Sequence, residues 1–472
     1  EKSTQPFNRE RTSERLGRSA FIVYCLIFAK GFAQMFRSLL TSWPLFFGLL
    51  LIMIGNGLMV LVLGIRASEA GFGSVISGIM MGGYFAGFFG GSAIVPRFLQ
   101  DVGHIRTFGA LAAIASAAVI LHLIAVDPVL WTFLRIIAGF SYAGMYIVVE
   151  SWLNEKSTNE TRGQMLAIYM IITMAGMSGG QVLGGIYDIT TVMPFLLASV
   201  LVSIAVVPIL LTAARAPDFT SPDPVSIRRL YQISPLALIG MLLQGLTASM
   251  AFGIGAIYAT DIGMTESQAS LFMAAFTLGN MLLQYPVGRL SDLFDRRVMI
   301  LVIALGAGIA ASFAASLSAQ QFWILVIVTA LYGGLSLTIY SLCIAHANDY
   351  LTPSQMVSTA STLITINGIG AIFGSPLIGF VMQITAPSAF FWVIALVHFG
   401  LAGFVLLRML SRPSVPADAQ APFVAVPEIG TAVAVQLNPE TPYQPTEAFE
   451  VEDPLSDNPY LDISSLNDPA KE

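Results

Sequence analysis

Residues 288–297 read GRLSDLFDRR. These ten positions hold two acids and three arginines, in a chain where only 11% of residues are charged. Ordinary soluble domains carry about 25%. The stretches on either side, 266–287 and 298–318, are apolar and almost uncharged. Similar runs of about 20 residues recur along most of the chain, and as a helix each can cross a hydrocarbon core about 30 Å thick. A soluble chain of this length would interleave charge at helical or strand periods, whereas here charge collects in the breaks between runs. The reading that follows is an all-α membrane protein in which 288–297 is one of the loops.

The runs place twelve transmembrane helices at 43–65, 71–95, 107–126, 129–153, 164–187, 191–213, 235–260, 266–287, 298–318, 320–347, 356–383 and 388–409. The longest internal polar stretch, ARAPDFTSPDPVSIRRLYQIS, divides them six and six. The expected organisation is therefore a bundle over 43–213, a central loop over 214–234 with a short surface helix in SIRRLYQI, and a second bundle over 235–409. Alternate loops differ sharply in basic charge. One set carries Arg97, Arg106, Lys156, Arg162, Arg215, Arg228, Arg229, Arg289, Arg296 and Arg297, and the other carries Arg66 alone. Basic short loops face the cytoplasm, so both termini are expected there, as in a multi-pass protein of the bacterial inner membrane.

Residues 1–42 hold one more apolar segment, AFIVYCLIFAKGFAQMFRSLL at 20–40. Its Lys30, Gln34 and Arg37 recur at i, i+4 and i+7 and form a polar stripe on a helix. The segment is therefore read as an amphipathic helix on the inner leaflet; a spanning helix would move the basic amino terminus outside. The proportions of NRERTSERLGRS argue against a cleavable signal. The tail, 410–472, holds eleven acids against Arg412 and Lys471 and is rich in proline. It is expected to be disordered and solvated, with docking to a protein partner as the alternative. Cys25 and Cys343 have no ligand-like spacing. No resident cofactor, metal cluster, nucleic-acid partner or nucleophile–base set stands out, which argues against an enzyme.

Within 288–297, Gly288 permits close backbone approach. Asp292 is placed to meet the positive N-terminus of a neighbouring helix, and Arg296 and Arg297 can reach carboxylates or headgroups. Such a cluster could latch one helix arrangement, or could simply fix orientation. The loop resembles the signature of the major facilitator superfamily, with Gly288, Asp292, Arg296 and Arg297 matching. Leu293 and Asp295 stand where that signature has arginine and glycine. The first-half counterpart, PRFLQDVGHIR at 96–106, matches well only at Gly103 and Arg106. RIIAGFSYAG at 135–144, GMSGGQVLGG at 176–185 and GIGAIFGSPLIG at 368–379 are similar to further motifs of that superfamily. VVESWLNEKSTNETRGQMLAIYMI at 148–171 resembles its YcaD-type bacterial branch. The resemblance covers about 43–410. It implies two pseudo-symmetric six-helix bundles that transport a solute by alternating access, with spans 1, 4, 7 and 10 lining the cavity.

Helices gain no hydrophobic energy by meeting in lipid and associate through small residues. Gly176, Gly180 and Gly184 form a stripe on the fifth span, and Gly370 and Gly374 form one on the eleventh, with Gly379 one residue out of phase. These stripes read either as sliding surfaces between the bundles or as static packing.

Polar groups inside the membrane are costly and are site candidates by default. Arg135, Gly139, Tyr142, Tyr146 and Glu150 share one helical face. The candidate cavity residues are Asn56, Arg135, Tyr142, Tyr146, Gln244, Asn280, Tyr332 and Tyr340; snorkelling to the surface is the alternative for Arg135. Arg97, Arg106 and Glu150 are assigned with the 288–297 cluster to an inner gate, with Glu150 pairing one of the arginines or carrying a proton. Met170, Met174 and Met177 form a thioether stripe that suits Cu(I) or core packing. The functional expectation is a secondary transporter of a small organic solute, with protons as the coupling ion. The alternatives are a non-transporting membrane scaffold or assembly factor on the same fold, or a copper importer.

Overall fold

The computed structural model describes residues 39–40, 42–210, 225–411, 415–416 and 420–440. The expected surface helix at 20–40 therefore lies almost wholly outside the described residues, as do residues 211–224 of the central loop. Twelve long helices form among those described: α1 Trp43–Glu69, α2 Gly73–Val102, α3 His104–Leu121, α4 Pro128–Lys156, α5 Arg162–Gly184, α6 Met193–Leu210, α7 Pro235–Asp261, α8 Glu266–Ser291, α9 Arg296–Ala315, α10 Phe322–Asn348, α11 Pro353–Ile384 and α12 Ala389–Ser411. Eleven are long and apolar enough to cross a membrane. The exception, α8, is long enough at 26 residues, but Glu266, Gln268, Asn280, Gln284 and Arg289 dilute its apolar content.

Local chemistry sets the helix starts. Asp127 accepts from Leu130 N at 2.8 Å, and Pro128 opens α4, where a missing N–H costs nothing. Ser234 with Pro235 opens α7. Capping boxes Thr265–Gln268 and Thr352–Gln355 start α8 and α11. The α2–α3 turn needs Gly103 at φ +87°, and the α7–α8 turn ends at Gly263 at φ +86°. A seven-residue helix, Ile227–Ile233, forms in the central loop.

The two halves repeat one packing scheme. α1 packs on α5 and α6, α2 on α4, and α3 on α4 and α6; the same pairings recur six helices later, α7 with α11 and α12, α8 with α10, and α9 with α10 and α12. Between halves, α2 meets α11, α5 meets α8, and the end of α7 meets α1. The outer surface carries exposed apolar side chains such as Val129, Leu282, Leu396 and Leu410, as contact with lipid requires.

The glycine stripes lie within each half. Gly176, Gly180 and Gly184 seat α5 against Met53, Ile54, Leu58 and Leu61 of α1, and Gly370 and Gly374 seat α11 against Leu242 and Leu246 of α7. The sliding reading therefore fails for these five, because no bundle boundary runs past them. Glycines that do face the other half include Gly78 and Gly82 of α2, beside Ile372, Ser375 and Pro376, Gly379 of α11, beside Ser74, and Gly64 of α1, beside Ala256.

These contacts gather at one end, here called the far face, opposite the loop face that carries 288–297. Val75 N donates to Gln383 at 3.1 Å, Ile189 N to Glu266 at 3.1 Å, Ser267 Oγ to Gly185 O at 2.9 Å and Ser270 Oγ to Gln181 O at 2.7 Å. From there the halves diverge toward the loop face.

The carboxyl-terminal segment fills that divergence. Residues 420–440 were expected to be disordered and solvated. Instead Val426, Val433, Ala434, Val435 and Leu437 are buried, and Ala432–Leu437 forms a 3-10 helix. The reading failed because the acids that make the tail look soluble lie mostly beyond residue 440, while GTAVAVQL at 430–437 is apolar.

Candidate functional site

A cavity of about 490 Å³ lies between the halves, lined by α1, α2, α4, α5, α7, α11 and the tail. α2 and α11 supply most of the wall, from Met81 to Arg97 and from Ser361 to Ala371. α10 supplies none of the lining residues, contrary to the expectation that spans 1, 4, 7 and 10 do so. A π-helical turn, Met250–Ile254, interrupts α7 and turns Phe252 and Gly253 to the cavity. Such turns often mark functional sites.

One polar cluster lies at mid-depth. Arg135 is 3% exposed, with its guanidinium carbon 4.4 Å from the centroid of the Tyr84 ring. This is cation–π geometry, and it excludes snorkelling to the membrane surface. Among the described residues no carboxylate lies within 4 Å of Arg135, and its Nε has no hydrogen-bond partner. Asn56 Nδ2 donates to Tyr84 Oη at 3.2 Å and to Tyr146 Oη at 3.3 Å, while Asn56 Oδ1 is left unpaired. Tyr146 Oη in turn donates to Met53 Sδ at 3.0 Å.

The other cavity candidates divide. Gln244 donates from Nε2 to Glu428 of the tail at 3.0 Å. Tyr142 is buried beside Tyr84 and Tyr146, its hydroxyl unpartnered, behind the lining. Asn280 accepts from Thr338 at 3.5 Å within the α8–α10 seam. Tyr332 accepts from Ser336 at 3.2 Å and packs on Phe276, Phe391 and His398. Tyr340 is buried in the second half. None of Asn280, Tyr332 and Tyr340 is among the residues that line the cavity.

The sequence reading missed Tyr84. Its cue was available, since Tyr84, Phe85, Phe88 and Phe89 recur at the spacing of one helical face. Aromatic residues in an apolar run, however, read as lipid-facing until a neighbouring cation is placed over one of them.

At the loop face the 288–297 cluster works differently from expectation. Asp292 is the residue that ends α8, and it lies 3.6 Å from the Arg296 side chain at the start of α9. It also accepts from Phe423 N of the tail at 2.7 Å. The Phe423 ring lies against Gly288, leaving no room there for a side chain. Arg296 is the hub. It is 1% exposed and donates to Asp349 at 2.5 Å, Ala345 O at 2.8 Å, Ala421 O at 2.7 Å and Ser291 Oγ at 3.2 Å, with Asp292 at 3.6 Å. Asp349, the second residue missed, sits just past the end of α10 and also accepts from Ala421 N at 3.1 Å. Arg297 pairs with Asp295 at 2.8 Å, and Asp295 caps α9. Burial opposes ionisation of Asp295, but the bonds from Arg297 hold its carboxyl below the usual range.

The inner-gate assignments change as well. Arg97 lines the cavity and Arg106 is exposed, and neither pairs with Glu150. Glu150, fully buried, accepts from Tyr169 Oη at 2.6 Å, from Thr431 N at 3.0 Å and from the Thr431 hydroxyl. Met170 and Met174 pack in the core, and Met177 packs there with one side on the cavity. Among the described residues no group of three His, Cys, Asp or Glu could hold a metal ion.

The family model described as Major Facilitator Superfamily matches residues 45–233 and 237–450. An uncharacterized MFS-type transporter of Yersinia pestis (strain Pestoides F) is 27% identical over 358 residues, spanning 74% of this chain and 89% of that relative. The MFS-type transporter YcaD of Escherichia fergusonii is 27% identical over 344 residues, spanning 71% and 86%. Among solved structures, a variant of the nucleoside transporter NupG aligns with a TM-score of 0.64 at 14% identity over 78% of this chain and 99% of that one. The D-xylose-proton symporter aligns at 0.63 and 12% over 81% and 99%. A bacterial homologue of the lysosomal transporter Spinster, inward-facing and occupied, aligns at 0.64 and 14% over 81% and 98%. At these identities the solved structures speak to the fold. With the family model covering both halves, the repeated six-helix packing and the matching loop at 288–297, this chain is a multi-pass membrane protein belonging to the Major Facilitator Superfamily, a family of transporters and not of enzymes.

Proposed function

We propose that the protein carries a small organic solute across a bacterial inner membrane by alternating access, with the loop face cytoplasmic and protons as the coupling ion. The observation that carries this reading is the cluster of Arg135, Tyr84 and Asn56, which lines a cavity between two half-bundles. A buried guanidinium without a carboxylate is costly, and a solute with one negative charge relieves that cost. The aromatic wall of Tyr84, Phe85, Phe88 and Phe89 suits an apolar body on the same solute, and Asn56 Oδ1 is left to accept from a donor on it. Two or more negative charges would want further cations in the chamber, and the other arginine on the cavity lining, Arg97, is exposed. The basic bias of the loop-face residues supports a cytoplasmic placement. Proton coupling is supported by xylose-proton and fucose-proton symporters among the solved neighbours. Glu150, buried without a cation within 4 Å among the described residues, is the proposed proton carrier.

The test is a thermal-shift panel of small organic monoanions, neutral analogues and dianions, followed by flux of the hits into proteoliposomes with and without a proton gradient. Monoanions are expected to shift the melt. Arg135→Gln is expected to weaken their binding about 10- to 100-fold, the worth of one charge-assisted contact, with Arg135→Lys intermediate. Equal binding by parent and Arg135→Gln would remove the anion seat.

A further inference from the structure

The tail runs between the halves and bonds to both. On the second half, Ala421 is held by Arg296 and Asp349, and Phe423 by Asp292 and Gly288. Midway, Val426 exchanges two hydrogen bonds with Ser341 Oγ, each 3.1 Å, and Gln284 donates to the same hydroxyl at 2.8 Å. Deeper, Glu428 takes the Gln244 amide. On the first half, Thr431 gives its N–H and hydroxyl to Glu150, and Asn154 donates to Gln436 at 2.8 Å. Val426, Val433, Val435 and Leu437 are at most 4% exposed. Residues 428–433 form part of the cavity wall itself.

We propose that residues 420–440 are a built-in plug that closes the solute passage at the loop face and pins the two halves apart there. The proposal rests on the transporter reading above. Its physical basis is that one segment uses polar groups of both halves at once. A solute entering from the loop face must displace residues 428–433 to reach Arg135. The halves must also expel the segment before their loop-face ends can approach, because α4, α7 and α10 each hold it through a side chain. Glu150 thereby serves the plug while it is docked, and is released with it.

Docking is also linked to protons. Protein surrounds the Glu428 carboxyl, although part of its surface faces the cavity, and burial pushes it up to about 8, with Gln244 as its hydrogen-bond partner. Tyr332 and Tyr340 of α10 are within electrostatic range of it. Arg135 of α4 and Arg97 of α2 line the same cavity, and Glu150 is bound by neighbouring Thr431. A carboxyl raised in the docked state and ordinary when released takes up a proton on docking. Docking is therefore strongest at low pH and weakens as pH rises from its ordinary range toward about 8.

The test places one cysteine on the cavity wall, Ser361→Cys, in a Cys25→Ser, Cys343→Ala background, and measures its rate of reaction with a membrane-impermeant maleimide applied from the loop face. In the full-length chain, Val435→Asp with Leu437→Asp is expected to raise the rate at least tenfold, as is removal of 413–472. Separately, with Ser361 unchanged, Asn154→Cys and Gln436→Cys are expected to be joined by a short bismaleimide. Normalised to the tail-less chain, the parent rate is expected to rise between pH 5.5 and 8.5, and Glu428→Gln to flatten that rise. Equal labelling of parent and both tail variants, or failure of the 154–436 pair to cross-link, overturns the plug. These readouts need no solute. A chain that labels as expected but shows no flux from any unplugged variant would instead count against the transporter reading.

Discussion

Arg296→Met is expected to destabilise the protein by about 3–5 kcal/mol, the cost of leaving one member of a buried ion pair without its partner. Asp349 is 2% exposed at its side chain and bonds Arg296 at 2.5 Å. The methionine keeps the volume and removes the charge, so Asp349 must protonate or draw in water. The same change releases Ala421 O, so tail docking should fall with stability. Chemical unfolding in detergent measures the effect. The double variant Arg296→Met with Asp349→Leu is expected to recover much of the loss, because two apolar residues cost no desolvation. If the single variant unfolds with the parent, the pair has no structural role. Should the double variant be worse than the single, the partnership of Arg296 and Asp349 is wrongly described.

Gly180→Val and Gly379→Val are expected to fail in opposite ways, although both glycines touch a backbone carbonyl of another helix. A side chain at 180 would strike Ile54 and the Leu58 N–H of α1, and one at 379 would strike Ser74 of α2. Backbone cannot yield as a side-chain end can, so each substitution forces helices apart at about 1–3 kcal/mol or more. The 180 contact lies inside the first half, and its loss should lower the melting point and the yield of folded protein. The 379 contact joins the halves at the far face. Its loss should leave each half folded and shift the balance toward far-face opening, by about 30-fold for a 2 kcal/mol cost. Labelling of Ser92→Cys, on the cavity wall, by an impermeant maleimide from the far face reads that shift. If Gly379→Val instead melts like Gly180→Val, the far-face seam is part of the fold and not a moving contact.

Much of this was written locally. Twelve long helices occur near the apolar runs, eleven of them long and apolar enough to cross a membrane, because a chain crossing lipid must satisfy its backbone inside each segment. That constraint acts residue by residue and needs no knowledge of the neighbours. Arg135 and Asn56 were legible for the same reason, since a polar group in an apolar run is costly wherever it ends up. Arg296 and Asp292 stood out as charge in a nearly chargeless chain.

Other features depend on which helices come together. Tyr84 matters because α4 sets a guanidinium over its ring. Gly379, one residue out of phase with its stripe, turns out to face the other half, while the regular stripes hold each half together. Asp349 gains its role only because α9 brings Arg296 to it. The tail shows the same division most clearly. Its composition describes a soluble strand, and that holds for a chain with only water to meet. Residues 420–440 are ordered because two half-bundles, joined at the far face, leave between them an opening lined by Glu150, Gln244 and Ser341. The membrane helices and their polar exceptions were set by the sequence alone, through the cost of exposing polar groups to lipid. Which surfaces join, and what fills the space between them, was decided only in the tertiary structure, because those energies belong to pairs of segments far apart in the chain.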